Sequence, residues 1–128
     1  MSYLLDTHML LWAITEPERV PARVTRAITR KGSSVWFSAA SYWEICIKQS
    51  LGKLRLVDDW PTIMERALTG NRIQCLPIQQ AHCRALLDLE YHHRDPFDRM
   101  LVAQAISEDL VIATSDRRIA RYPVELVL

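Results

Sequence analysis

Four acidic side chains, Asp6, Glu44, Asp98 and Asp116, are the residues in this chain whose types suit metal-assisted chemistry. Asp6 and Asp116 each follow a short apolar run, Tyr3-Leu4-Leu5 and Val111-Ile112-Ala113. Each also admits a plainer role. Asp6 can cap the helix that His8 to Ile14 would form, and Asp116 can cap the turn over Arg117 to Ala120. Glu44 lies three residues after Ser41, the spacing of a capping box, yet Trp43 and Ile45 flank it, and a charge among apolar neighbours needs a partner. Asp98 falls in the first turn of a helix opened by Asp95 and Pro96, where a carboxylate is also favoured by the helix dipole. Carboxylates brought within a few ångströms repel one another and call for a cation. A ligand set made only of oxygen selects a hard ion, Mg²⁺ or Mn²⁺. The chemistry natural to such an ion is phosphodiester cleavage.

The pattern around the acids predicts the elements that position them. Ser2 to Leu5 reads as a buried strand and His8 to Ile14 as a helix. Val20, Val24, Ala27 and Ile28 form one face of a second helix, stopped by Gly32. Ser34 to Ser38 reads as strand two, followed by a helix carrying Trp43, Ile47 and Leu51 that ends at Gly52. Asp59-Trp60-Pro61 starts another helix, with Ile63, Met64, Ala67 and Leu68 inward. Ile73 to Leu76 is strand three, Gln79 to Leu89 is helical, and the helix from Pro96 runs to about Asp109. Leu110 to Ala113 is strand four and Val124 to Val127 strand five. Strands alternating with helices predict a parallel sheet covered on both faces, an α/β fold. Ligands sit beyond the carboxyl ends of such strands, where the strand order reverses. If strands one and four are neighbours there, Asp6 and Asp116 share a crevice.

The 128 residues fit one domain spanning 1–128, large enough to bury a core without staples. Sixteen Lys and Arg against fifteen Asp and Glu leave a net charge of +1, which argues against simple electrostatic wrapping of nucleic acid. It leaves room for an enzyme whose basic rim offsets an acidic site. Lys48, Lys53, Arg55, Arg94, Arg99 and Arg117 are candidates for that rim, with Lys48, Arg94 and Arg99 as RNA contacts, though ordinary solvated charge explains any one of them. His92-His93 beside Arg94 suits phosphate binding or proton transfer, or is solvated surface. The tryptophans Trp12, Trp36, Trp43 and Trp60 read as core and interface. Cys46, Cys75 and Cys83 lack metal-site spacing and read as reduced thiols in or near the core. No apolar run approaches the ~20 residues of a membrane span. The start, MSYLLDTH, lacks the basic region of a signal peptide. A cytoplasmic protein is expected.

Four segments carry a resemblance: YLLDTHMLLW, SAASYWEICIKQSLGKL, HHRDPFDRMLVAQA and VIATSD. In these the sequence resembles the PIN-domain ribonucleases, specifically the VapC-like toxins of type II toxin–antitoxin pairs, over nearly its whole length. The resemblance implies a three-layer α/β/α domain with a central, mostly parallel five-stranded sheet. It implies Mg²⁺ or Mn²⁺ dependence, RNA cleavage, a homodimer, and inhibition by a small antitoxin. It makes Asp6, Asp98 and Asp116 the metal ligands and Glu44 the fourth catalytic acid, with Thr7, Thr114 and Ser115 in support. A non-catalytic binding module on the same fold is the alternative. A small-molecule phosphatase is disfavoured, because Asp6-Thr7-His8 stands where such enzymes carry D-x-D.

Overall fold

The computed structural model describes residues 1–128. Its centre is a sheet of five strands: β1 (Ser2–Leu5), β2 (Ser34–Ser38), β3 (Ile73–Leu76), β4 (Val111–Ala113) and β5 (Leu126–Val127). Every neighbouring pair is parallel, in the order β3-β2-β1-β4-β5. The order reverses at β1, so β1 and β4 are neighbours and the crevice expected from the sequence lies beyond their carboxyl ends.

Alternation along each strand sorts the core into two layers. Leu5, Val35, Phe37 and Ala113 face one side. There they meet α1 (Thr7–Thr15) through Met9 and Leu10, α2 (Ala22–Thr29) through Val24, α3 (Ala39–Ser50) through Ile45, and α4 (Trp60–Gly70) through Met64 and Leu68. Leu4 and Ile112 face the other, which is roofed by α5 (Gln80–Ala85) and α6 (Pro96–Glu108). Leu101, Val102 and Ala105 of α6 fill that layer, with Leu89, Leu110, Ile119 and Tyr122. The result is the PIN-like α/β/α sandwich, and its sheet is parallel throughout.

Short connections put helix starts beside strand ends. A single residue, Asp6, separates β1 from α1, and none separates β2 from α3. Asp6 caps α1 by accepting from Met9 N. Ser38 caps α3 by accepting from Ala40 N. Asp95 caps α6 by accepting from both Phe97 N and Asp98 N, with Pro96 in the first turn. Each cap contributes about 1 kcal/mol, and together they point the positive ends of α1, α3 and α6 toward one edge of the sheet.

Three expectations are corrected. Ser41-x-x-Glu44 is not a capping box: α3 starts three residues earlier at Ser38, and Ser41 is buried inside the helix. Cys46, Cys75 and Cys83 are all exposed; Cys75 shares the sheet face of Phe37 but lies on the edge strand β3. Strand five is shorter than predicted, with Val124 preceding it as a core-packed loop residue.

Candidate active site

Asp6 is 4% exposed at the end of β1. Its Oδ1 accepts from Met9 N at 2.8 Å, and its Oδ2 accepts from the Thr114 hydroxyl. Thr114, fully buried just past β4, also accepts from Asp116 N at 2.9 Å. One hydroxyl thus joins the two strand ends. Burial raises the Asp6 carboxyl above its usual range, the Thr114 and Met9 bonds pull it back, and the charge of Asp116 adds to the rise.

Glu44, 5% exposed on α3, does not reach back to the helix start. Its Oε1 accepts from Thr7 Oγ1 at 2.7 Å, and its Oε2 pairs with Lys48 Nζ at 2.8 Å, one helical turn on. Thr7 Oγ1 also lies 3.0 Å from the Ser41 hydroxyl. Asp116 is more open. Arg118 holds it with a two-pronged ion pair, and this keeps its carboxyl below the usual range.

Asp98 is the most perturbed acid. Burial first, then the charge of Asp95, push its carboxyl up to about 6; Asp6 and Glu44 add to the rise, and the bond from His93 opposes it. Asp98 therefore feels Asp6 and Glu44, and Asp6 feels Asp116. The four predicted acids share one electrostatic neighbourhood at the carboxyl edge of the sheet. They do not form a closed cage: no three acidic, histidine or cysteine side chains stand at metal-ligand spacing. Each carboxylate is turned to a partner of its own instead.

A relay behind Asp98 was not legible in the sequence. Arg99 is 5% exposed, and its guanidinium donates to the Leu89 and Glu90 carbonyls and to Tyr122 Oη, with the Tyr91 ring stacked at 3.8 Å. Arginine only donates, so the Tyr122 oxygen accepts from it, and that oxygen also lies 2.8 Å from His93 Nδ1. His93 Nε2 faces Asp98 Oδ2 at 3.4 Å. Arg99 is consequently unavailable to RNA. The expectation is corrected because α6 is buried almost all round, from Arg99 through Ala105, and leaves no outer face for that side chain. Nor are the histidines solvated surface. His93 is nearly buried, and His92 is packed edge-on against Tyr122 with Glu90 3.5 Å away. Arg94 and Ser115 are exposed and bond to none of the acids.

The PIN domain family model matches residues 3–125. The chain belongs to the PIN domain family. Solved structures share this PIN fold end to end at low identity. VapBC2 from Rickettsia felis, bound to a DNA fragment from its promoter, superposes with a TM-score of 0.77 at 16% identity, covering 99% of this chain and 98% of that one. VapBC-1 from nontypeable Haemophilus influenzae gives 0.68 at 18%, covering 99% and 97%. FitAcB from Neisseria gonorrhoeae gives 0.65 at 19%, covering 98% and 96%. No curated protein sequence matches the chain. No helix of this PIN chain is long and apolar enough to cross a membrane.

The donor chemistry of the site fits a hard divalent ion. The four acids offer oxygen alone, and two of them, Asp6 and Asp98, have carboxyls raised by burial and by neighbouring acids. Asp6, Asp98 and Asp116 would hold such an ion only after turning from their present partners.

Proposed function

We propose that this PIN chain is a divalent-metal-dependent endoribonuclease and the toxin of a toxin–antitoxin pair. The observation that carries the reading is that Thr114 ties Asp6 to the backbone of Asp116 and Thr7 holds Glu44 beside them, while Asp98, raised to about 6 chiefly by burial and Asp95, also feels Asp6 and Glu44. Asp6, Asp98 and Asp116 would hold the ion, and Glu44 would complete the shell or orient the attacking water. Mg²⁺ or Mn²⁺ supplies, when bound, an activated water and polarisation of the scissile phosphodiester. The chain's own residues do the rest. Thr114 holds Asp6 and the backbone of Asp116 in register, and Thr7 fixes the rotamer of Glu44. His93 steadies Asp98 through the relay from Arg99 and Tyr122. Ser115 has no part in that support. Arg94, exposed beside the site, is free to meet a phosphate.

On the same reading the chain would form a homodimer in the cytoplasm and would be covered by a small antitoxin; only the partner finds support in the similar structures, which are the complexes VapBC2 and VapBC-1. One observation favours the non-catalytic alternative: each acid is satisfied within the protein, with no ready-made cage. Cleavage decides. Purified protein should cut single-stranded RNA in Mg²⁺ or Mn²⁺ and not in EDTA, and Asp98→Asn should lower the rate by about a hundredfold or more. Undiminished cutting by the variant, or none by the unmodified protein, would overturn the assignment.

A further inference from the structure

We propose that the groove between α1 and residues 51–56 is a track for the backbone of single-stranded RNA, leading a phosphodiester to the carboxylates. The identity of the nucleic acid rests on the nuclease reading; the track itself rests on charge and shape. The groove has a volume of about 540 Å³. Arg19, Lys48, Lys53 and Arg55 line it, along with His8, and the only acid there is Glu16, already paired with Arg19 at 3.1 Å. In a chain with sixteen basic and fifteen acidic residues, this local excess comes from placement and not from composition. A hollow of about 580 Å³ lies at the other end of the sheet, bordered by Met1, Ser2 and Asp109, but none of the four acids lines it.

None of the four acids lines this groove either, but it meets the site through residues bonded to Glu44. Thr7 and Lys48 line it, and both bond to Glu44. Its outer cations are placed by the backbone. Gly52, at φ +72, turns the chain after α3, a conformation that favours glycine. Lys53 N and Leu54 N then both bond to Lys48 O, closing the turn. Beyond it residues alternate: Leu54 and Leu56 pack against the core, so Lys53 and Arg55 face outward. Arg19 is fixed as well, with its guanidinium 4.5 Å above the Trp12 ring. A row of preset cations suits a run of phosphates, whose recognition is chiefly electrostatic and independent of sequence. A single strand fits better than a duplex. Asp6 and Glu44 are almost wholly buried, and a phosphate on a flexible strand reaches such groups more readily than one held within a duplex.

The test measures binding apart from cutting. Fluorescence anisotropy with labelled oligouridylates reads affinity on an Asp98→Asn background, and again on otherwise unmodified protein in EDTA. Lys53→Ala/Arg55→Ala is compared with Arg23→Ala/Arg26→Ala, which removes the same charge from exposed positions on α2. The groove variant should bind about tenfold more weakly. Its slope of log Kd against log salt should fall by about 1.4, since two phosphates of the strand would no longer be neutralised. The penalty should grow with oligomer length, and the α2 variant should bind within about twofold of its parent. Equal weakening by both variants, or none by the groove variant, overturns the proposal. So does unchanged RNA affinity with loss of binding to a polyglutamate peptide, which would make the groove a protein site. If the unmodified protein cuts RNA and the groove variant binds normally, the track falls and the nuclease stands. If nothing is cut but the groove-dependent binding is seen, the track stands and the catalytic reading falls.

Discussion

Asp98 carries a proton in the folded protein at a pH where an ordinary aspartate has lost it. Its carboxyl titrates near about 6, against about 3.9 in the unfolded chain. Between those values the folded state binds the proton and the unfolded state does not, so the contribution of Asp98 to stability is fully present below about pH 4. It is lost as pH rises through about 6. Asparagine has no charge to form. In the metal-free protein, Asp98→Asn should therefore raise the melting temperature at about pH 7.5, and the gain should fall to about half at about pH 5 and shrink toward zero below about pH 4. Added Mn²⁺ should stabilise the parent more than the variant. Scanning calorimetry at several pH values checks this; a difference between the two proteins that does not vary with pH would show that Asp98 is not strained by its neighbours. The chemistry-bearing residues most legible in the sequence were those at strand ends and helix mouths, where position restricts what an acid can do. His93 and Arg99 were singled out but their joint role with Tyr122 was not legible, since nothing local signals that an Arg beside an acid will turn inward to carbonyls supplied nine and ten residues earlier.

At the level of elements, the site depends on β1 and β4 ending together. Their register sets Leu5 against Ala113, and the Thr114 hydroxyl then ties Asp6 to the backbone of Asp116. Thr114→Val keeps the shape and removes the hydroxyl. The change leaves a buried carboxylate oxygen without its donor, and it should cost about 2 kcal/mol, read as a lower urea midpoint at unchanged slope. The Asp6 carboxyl should rise further. A loss below about 0.5 kcal/mol would mean that the strap contributes little. Strands one to three follow the predicted bounds because each is a compact apolar run between clear breaks. The start of α3 does not: Ser38, Ser41 and Glu44 offer two overlapping capping patterns, and the burial of Ser41 against Thr7, 34 residues away, decides between them. That contact is tertiary and invisible along the chain. The exposed cysteines have a similar cause, since the outward face of α3 or α5 and the edge position of β3 are set by tertiary packing.

Across the whole molecule, the layered fold brings α1, α3 and α6 to one edge of a fully parallel sheet and sets four carboxylates there. In the metal-free state Lys48, His93 and Arg118 stand against Glu44, Asp98 and Asp116, while Asp6 relies on hydrogen bonds alone. Binding an ion would have to draw these acids from their present partners toward a common centre. The measurement that bears on this most directly is calorimetric titration of Mn²⁺ into the metal-free protein and into Asp98→Asn. Saturable uptake by the parent, weakened at least about tenfold in the variant, is the predicted result. No uptake by the parent, or the same isotherm from both proteins, would contradict a shared metal site.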